Sequence, residues 1–368
     1  MNKKVHCSIG LVLTIAIVQF ILACSAGASE PSYLSTTQCS KVHGVSGAID
    51  EAGYINANGI KQWITIKGGS CSNPVVLFVH GGPGNPMSLY SETLYKEWEG
   101  QFTIVQWDQR GSGKTYEANQ VSGEIASEML SATPLTLDLI AKDGLEVAAF
   151  LRKKLSKKKI IITGGSWGSA VAVNMISEKP ELFQFYVGLS QLVNYNSNTL
   201  NSYQNVLIKV KQNGDQQAEG ILESLGPPPW KNPRNFGKLR KVSRKLEALS
   251  TDNPIILQAG KEYQSEQYKA AYASGEEFSF IEFVGMNGDG IAQDIELDKN
   301  NVDLKIPVYI IQGDEDLLTS PEITKKYFDE IKAPYKRYIT VPRSGHDPNT
   351  NMLSAQFAAL RDGLKGPR

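Results

Sequence analysis

Beyond residue 50 the chain alternates short apolar runs with longer amphipathic stretches. Residues 53–55 and 62–67 read as β-segments joined through Asn58-Gly59, a dipeptide suited to a tight hairpin turn. Residues 74–79 and 102–107 are rich in Val, Ile and Phe without polar alternation, as expected of strands covered on both faces. Residues 135–155 then carry Leu135, Leu139, Val147 and Leu151 near one face of a helix. A strand at 159–163, a helix at 170–178 stopping near Pro180, and a strand at 183–189 follow. Strands alternating with helices predict an α/β fold with a largely parallel sheet and helices on both sides.

The alternation lapses between 193 and 302. That stretch is more polar and is broken by Pro227-Pro228-Pro229. It is too long for a simple connection, so it reads as a mainly helical inserted cap. The sheet pattern resumes with a strand at 307–311, a helix at 321–331, a strand at 337–341 and a closing helix from about Thr350. The expected organisation is a core at 45–192, a cap at 193–302 and the rest of the core at 303–368.

Residues 9–23 are uncharged and mostly apolar, follow Lys3 and Lys4, and precede small residues. This is the three-part pattern of a secretory signal, and ~15 residues is short for a span of ~20. Two cleavage readings stand. Ile21-Leu22-Ala23-Cys24 resembles a lipobox, which would make 1–23 the signal and lipidate Cys24, attaching the protein to a membrane. Ala26-Gly27-Ala28 offers ordinary cleavage and a signal of 1–28. Cys7 leaves with the signal either way. Cys39 and Cys71 then form an even pair in an oxidising compartment, the condition for a disulfide.

The 38 basic and 38 acidic side chains cancel, so net charge supplies no reason to expect nucleic acid. One local excess departs from this balance: residues 238–245 hold five basic side chains and no acidic one. It reads as a solvated helix face, with contact to an anionic membrane surface as the alternative.

Gly164-Gly165-Ser166-Trp167-Gly168 matches G-x-S-x-G between a predicted strand and a predicted helix. That junction holds a serine in a strained turn with its hydroxyl exposed above the sheet. A serine hydroxyl needs a base to take its proton. Of the four histidines, His6 lies in the signal, His43 in the N-terminal arm and His80 in a glycine-rich loop after a strand. His346 follows the last strand and is the candidate base. The acid that orients it should come from Asp314, Glu315 and Asp316, after the strand at 307–311; Asp316, at the far end of the turn, is preferred over Asp314. The N–H of Trp167 and one from the loop 80–84 should bind the oxyanion. Gly111-Ser112-Gly113-Lys114-Thr115 imitates a P-loop ending, but Asp108 stands where its first glycine belongs. Clustered His/Cys spacing for a metal is lacking, and no cofactor is expected.

His80-Gly81-Gly82-Pro83-Gly84, Asp108-Gln109-Arg110-Gly111-Ser112-Gly113 and Gly164–Ser169 together resemble the proline iminopeptidase branch of the α/β-hydrolases. The order serine, acid, histidine is also that of this fold. The resemblance covers the core at 53–191 and from 307 onward. It implies an α/β-hydrolase fold, with Ser166 as nucleophile, Asp316 as acid, His346 as base, and Gly82 and Trp167 as oxyanion donors. Arg110 would brace the site. It further implies release of an N-terminal residue, often proline, by way of an acyl-enzyme. Gly313-Asp314-Glu315-Asp316 departs from the family's G-R-Y-D, and Lys114-Thr115 from its Arg-Ser. Cap carboxylates would hold the substrate amine; Glu219, Glu223, Glu262, Glu276 and Glu282 lie there without an alignable motif. Hydrolysis of small hydrophobic esters or amides by the same residues is the competing reading. The expected partner is therefore a small peptide or ester, and no protein partner is indicated.

Overall fold

The computed structural model describes residues 32–35, 41–42, 45–120 and 135–366. The signal, Cys24 and its lipidation, His6, His43 and Cys39 lie outside the described residues. Cys71 is disulfide-bonded.

Eight strands form one sheet: β1 (Ile49–Ala57), β2 (Ile60–Gly68), β3 (Val75–Val79), β4 (Thr103–Trp107), β5 (Ile160–Ser166), β6 (Phe183–Gln191), β7 (Val308–Gly313) and β8 (Lys336–Val341). Their order is β8-β7-β6-β5-β3-β4-β2-β1. The β1–β2 and β2–β4 pairs are antiparallel, and every other pair is parallel. Asn58 and Gly59 turn the β1–β2 hairpin with φ of 45° and 77°, the left-handed conformations a two-residue turn requires. Both hairpin strands outrun the sequence expectation, at nine residues each, because ladder pairing continues through polar positions that periodicity does not flag.

The central strands are buried on both faces, and their residues alternate between two cores. Val75, Leu77, Val79, Ile160, Ile162, Val308 and Ile310 pack on one side, against helices α2 (Leu137–Lys154) and α3 (Trp167–Glu178). Val76, Phe78, Ile161, Tyr309 and Ile311 face the other side, against Leu94, Trp98, Met352 and Leu360. The short helix α1 (Gly113–Asn119) precedes α2 and was not anticipated by periodicity.

Between β6 and β7 lie α4 (Tyr195–Asn213), α5 (Gln216–Leu225), α6 (Arg234–Ser250) and α7 (Glu266–Val284). Val206, Leu222, Leu239, Val242 and Leu246 from the first three share a small core with Leu317. Helix α8 (Pro321–Glu330) and helix α9 (Thr350–Lys365) complete the chain. Residues Ser32–Arg368 cluster as one compact unit.

Candidate active site

Strand β5 ends at Ser166 and α3 begins at Trp167, so the strand-to-helix turn is made at one residue. Ser166 has φ 51° and ψ −125°, a backbone that non-glycine residues adopt only when their surroundings hold it there. The neighbouring glycines make that possible. A Cβ on Gly168 would overlap the carbonyls of Val79 and His80, and one on Gly164 would overlap the Gly168 carbonyl. Ser169 ties the turn to the next strand: its hydroxyl donates to the Ser166 carbonyl (2.5 Å) and accepts from the Leu192 N–H (2.9 Å).

The structure brings His346 and Asp316 to this turn, each from the loop after its own strand. His346 Nε2 lies 3.0 Å from Ser166 Oγ, and its Nδ1 lies 3.0 Å from Asp316 Oδ2. Asp316 is buried and richly satisfied. Its Oδ1 accepts from the backbone N–H groups of Leu318 (2.9 Å) and Thr319 (2.8 Å). Its Oδ2 accepts from the Thr319 hydroxyl (2.8 Å) and the Gln312 amide (3.0 Å). Asp314 is exposed and reaches only toward the Ser344 N–H at 3.4 Å, while Glu315 pairs with Lys209 at 2.6 Å.

Burial by itself raises the Asp316 carboxyl, but the facing imidazole and the Thr319 donors outweigh it and hold the group below its usual range. For His346 burial disfavours the charged form. The Asp316 carboxylate overcomes this and sets its pKa above the ordinary value, with Arg240 opposing and Glu247 assisting. The paired charges thus favour an ionised acid beside a basic imidazole.

The glycine-rich loop stands on the other side of Ser166. A Cβ on Gly81 would come within 3.4 Å of Ser166 Cβ, whereas Gly82 sits at φ 112° with its Cβ direction closed by Gly84 and Asn85. His80 is buried behind them. Its Nε2 accepts from the Gln109 N–H (3.1 Å), leaving the proton on Nδ1 to be donated to the Gly81 carbonyl (2.8 Å). Burial depresses its pKa to about 4, so it is a neutral strut. Gln109 completes the brace: its amide donates to the His80 carbonyl (2.8 Å) and accepts from the Trp167 indole (2.9 Å). Arg110 points away and grips buried Asp143 of α2, Nε to Oδ2 at 2.8 Å. Lys114 of the P-loop-like segment stacks its ammonium over Trp63 (4.2 Å) and Tyr263 (4.8 Å).

The inserted helices add groups that sequence inspection passed over. Glu247 of α6 is buried; it accepts from the N–H of Leu317, next to Asp316, at 2.8 Å and pairs with Arg240 at 2.7 Å. Arg240 also pairs with Asp347, next to His346, at 2.8 Å. Helix α6 is therefore fastened to both loops that carry the acid and the imidazole, and Arg240 departs from the solvated face expected of its segment. The one available signal was an acidic residue on the apolar stripe Leu239, Val242, Leu246. Phe283 of α7 meets Trp167 edge-on at 5.6 Å and, with Tyr195 and Phe236, makes an aromatic wall. Among the glutamates named from sequence, Glu276 accepts from Asn85, just past the glycine-rich loop, at 2.6 Å. Glu219 and Glu223 are turned to Lys211.

Residues 74–350 match the alpha/beta hydrolase fold family. A Bacillus subtilis protein named as a probable aminopeptidase, YbaC, is 30% identical over 311 residues, covering 78% of this chain and 88% of the relative. A proline iminopeptidase of Clostridium botulinum is 28% identical over 283 residues, covering 76% of this chain and 86% of its own length. The crystal structure of a Mycobacterium smegmatis proline iminopeptidase superposes with a TM-score of 0.61 at 14% identity, covering 86% of this chain and all of that one, a likeness of fold. An eight-stranded sheet with its serine at the β5–α3 turn, a family match over most of the chain and these relatives agree: the chain belongs to the α/β-hydrolase fold family, as a proline iminopeptidase-like hydrolase.

Proposed function

We propose that this chain is an exported serine hydrolase that releases N-terminal residues, proline foremost, from short peptides through an acyl-enzyme. The observation that carries the reading is the relay of 3.0 Å contacts from Ser166 through His346 to Asp316. Ser166 Oγ attacks the scissile carbonyl while His346 Nε2 takes its proton. The oxyanion that forms is met by the N–H of Trp167 and that of Gly82 in the facing loop. His346 then protonates the leaving amine, and the acyl group stays as an ester on Ser166. Water attacks that ester with His346 again as base, and Asp316 remains ionised throughout.

Preference for a free N-terminus is supported by the relatives' names and by an exposed carboxylate that the inserted helices bring to the glycine-rich loop. Glu276 borders the glycine-rich loop, whereas Glu247 is buried and spent on Arg240. Residues 193–302 act in this reading as a cap that admits short substrates. Export rests on the charged, apolar and small-residue order of residues 1–28, with Cys24 as the lipidated terminus or Ala26-Gly27-Ala28 as the cleavage site.

The decisive assay compares a proline arylamide, its N-blocked analogue and a short-chain aryl ester. Cleavage of the free-amine substrate with rejection of the blocked one is expected. Turnover of the ester alone would leave a serine esterase and remove the peptidase. A pH profile tests the relay separately. Catalysis needs neutral His346, whose pKa is raised by Asp316, so activity falls on the acid side with a midpoint above 6.5. A midpoint below 6.5 in kcat/KM would contradict the pairing.

A further inference from the structure

Helix α6 carries charge on two faces that differ in how it is answered. Arg240, largely covered, pairs with Glu247 and Asp347, and Arg244, itself exposed, pairs with Asp347. Arg234, Lys238, Lys241 and Lys245 are exposed, and among the described residues no acid pairs with their side chains. At 3.6 residues per turn these four and Leu249 fall within an arc of about 80°, a stripe ~22 Å long. Residues 231–246 contain no Asp or Glu. Several lysines on other helices are answered within a turn, as Lys142 with Asp138, Lys269 with Glu266 and Lys325 with Asp329, whereas those left open elsewhere, such as Lys153 and Lys326, stand singly. The stripe of α6 is left open.

It also ends in an apolar side chain, and two more exposed ones follow in the chain. Leu249 is 77% exposed, and just past the helix Ile256 is 81% and Leu257 40% exposed. A face needed only for solubility gains nothing from a bare aliphatic group, while an unanswered basic row that ends in Leu249 suits a surface that is anionic outside and apolar just beneath.

We propose that the outer face of α6, with Leu249 and the Ile256–Leu257 corner, docks on an anionic lipid bilayer. The lysines would meet the headgroup phosphates, and the three aliphatic side chains would enter the boundary below them. Because the whole chain is neutral, with 38 charges of each sign, attraction would be confined to this face and would orient the molecule. A nucleic acid would draw on the lysines but leave the aliphatic groups in water, and no aromatic ring stands on the stripe for a base to stack on.

The test uses the Ser32–Arg368 unit, which contains the whole described core and lacks the apolar run at 9–23; catalysis is not its readout. Its sedimentation with phosphatidylglycerol–phosphatidylcholine vesicles is compared with that on pure phosphatidylcholine. Binding to the anionic vesicles alone, weakened by added salt, is expected. Each lysine near such a surface contributes roughly a factor of five, so a Lys238→Gln, Lys241→Gln, Lys245→Gln variant should lose on the order of 100-fold in partitioning. A Leu249→Ser, Ile256→Ser variant should bind more weakly yet remain salt-sensitive. Thermal melts, unchanged for these surface replacements, establish that both variants are folded. Absence of binding, equal binding to both vesicles, full retention by the triple glutamine variant, or binding to soluble polyphosphate but not to vesicles would each overturn the proposal.

Discussion

Ser166→Ala is expected to lower turnover by on the order of 10⁶ while leaving the fold in place. The loss is large because the hydroxyl is the only atom of the site positioned to form the acyl bond, with His346 Nε2 at 3.0 Å. The fold is spared because alanine inherits the backbone at φ 51° with a Cβ no bulkier than that of serine. The close approaches at Gly164 and Gly168, which make the turn, are untouched. Steady-state kinetics with a thermal melt separates the two effects. Turnover near the wild-type rate in a folded variant would refute Ser166 as nucleophile, as would its continued labelling by an active-site phosphonate.

Asp316→Asn should cost about 10⁴ in kcat. Both oxygens of the native carboxylate accept: Oδ1 from Leu318 and Thr319, Oδ2 from the Thr319 hydroxyl, Gln312 and His346. An amide nitrogen in either position meets donors, so it would either crowd an N–H or force the His346 ring to move its proton to Nε2. In that tautomer the imidazole cannot accept from Ser166. The variant also loses the charge that raises His346, so burial prevails and the acid limb of its residual activity should move to lower pH. Asp314→Asn, at an exposed residue on the same turn, should change kcat by no more than a few-fold. A reversed ranking in parallel kinetics would transfer the role to Asp314.

What could be read from the chain followed how local each signal was. The elbow, the glycine-rich loop and the Asn58-Gly59 hairpin are written in contiguous residues, since a backbone with positive φ or a close approach demands glycine at particular offsets. The strands of the central sheet were legible too, because burial on both faces leaves unbroken Val, Ile and Phe. The polar ends of β1 and β2 and the helix α1 escaped, as ladder pairing and a docked turn need no hydrophobic period. Within the site, His346 could be reached by elimination among four histidines. The choice between Asp314 and Asp316 depends on which carboxylate the turn buries. Gln109 stood in the Asp108–Gly113 motif, but its joining of His80 to Trp167 could not be read, because these partners lie far along the chain and are met only through packing.

By itself, then, the amino-acid sequence determined the class of fold, the serine at its strained turn and the order of the candidate site residues, for these rest on local backbone geometry and on runs of buried side chains. Tertiary structure decided which groups meet. It set the imidazole between Ser166 and Asp316, fastened α6 to both loops through Glu247 and Arg240, and divided the basic segment into two arginines paired with acids and an outward row that no acid among the described residues pairs with. Each of those outcomes depends on two distant segments packing against one another, and no window of neighbouring residues contains that information.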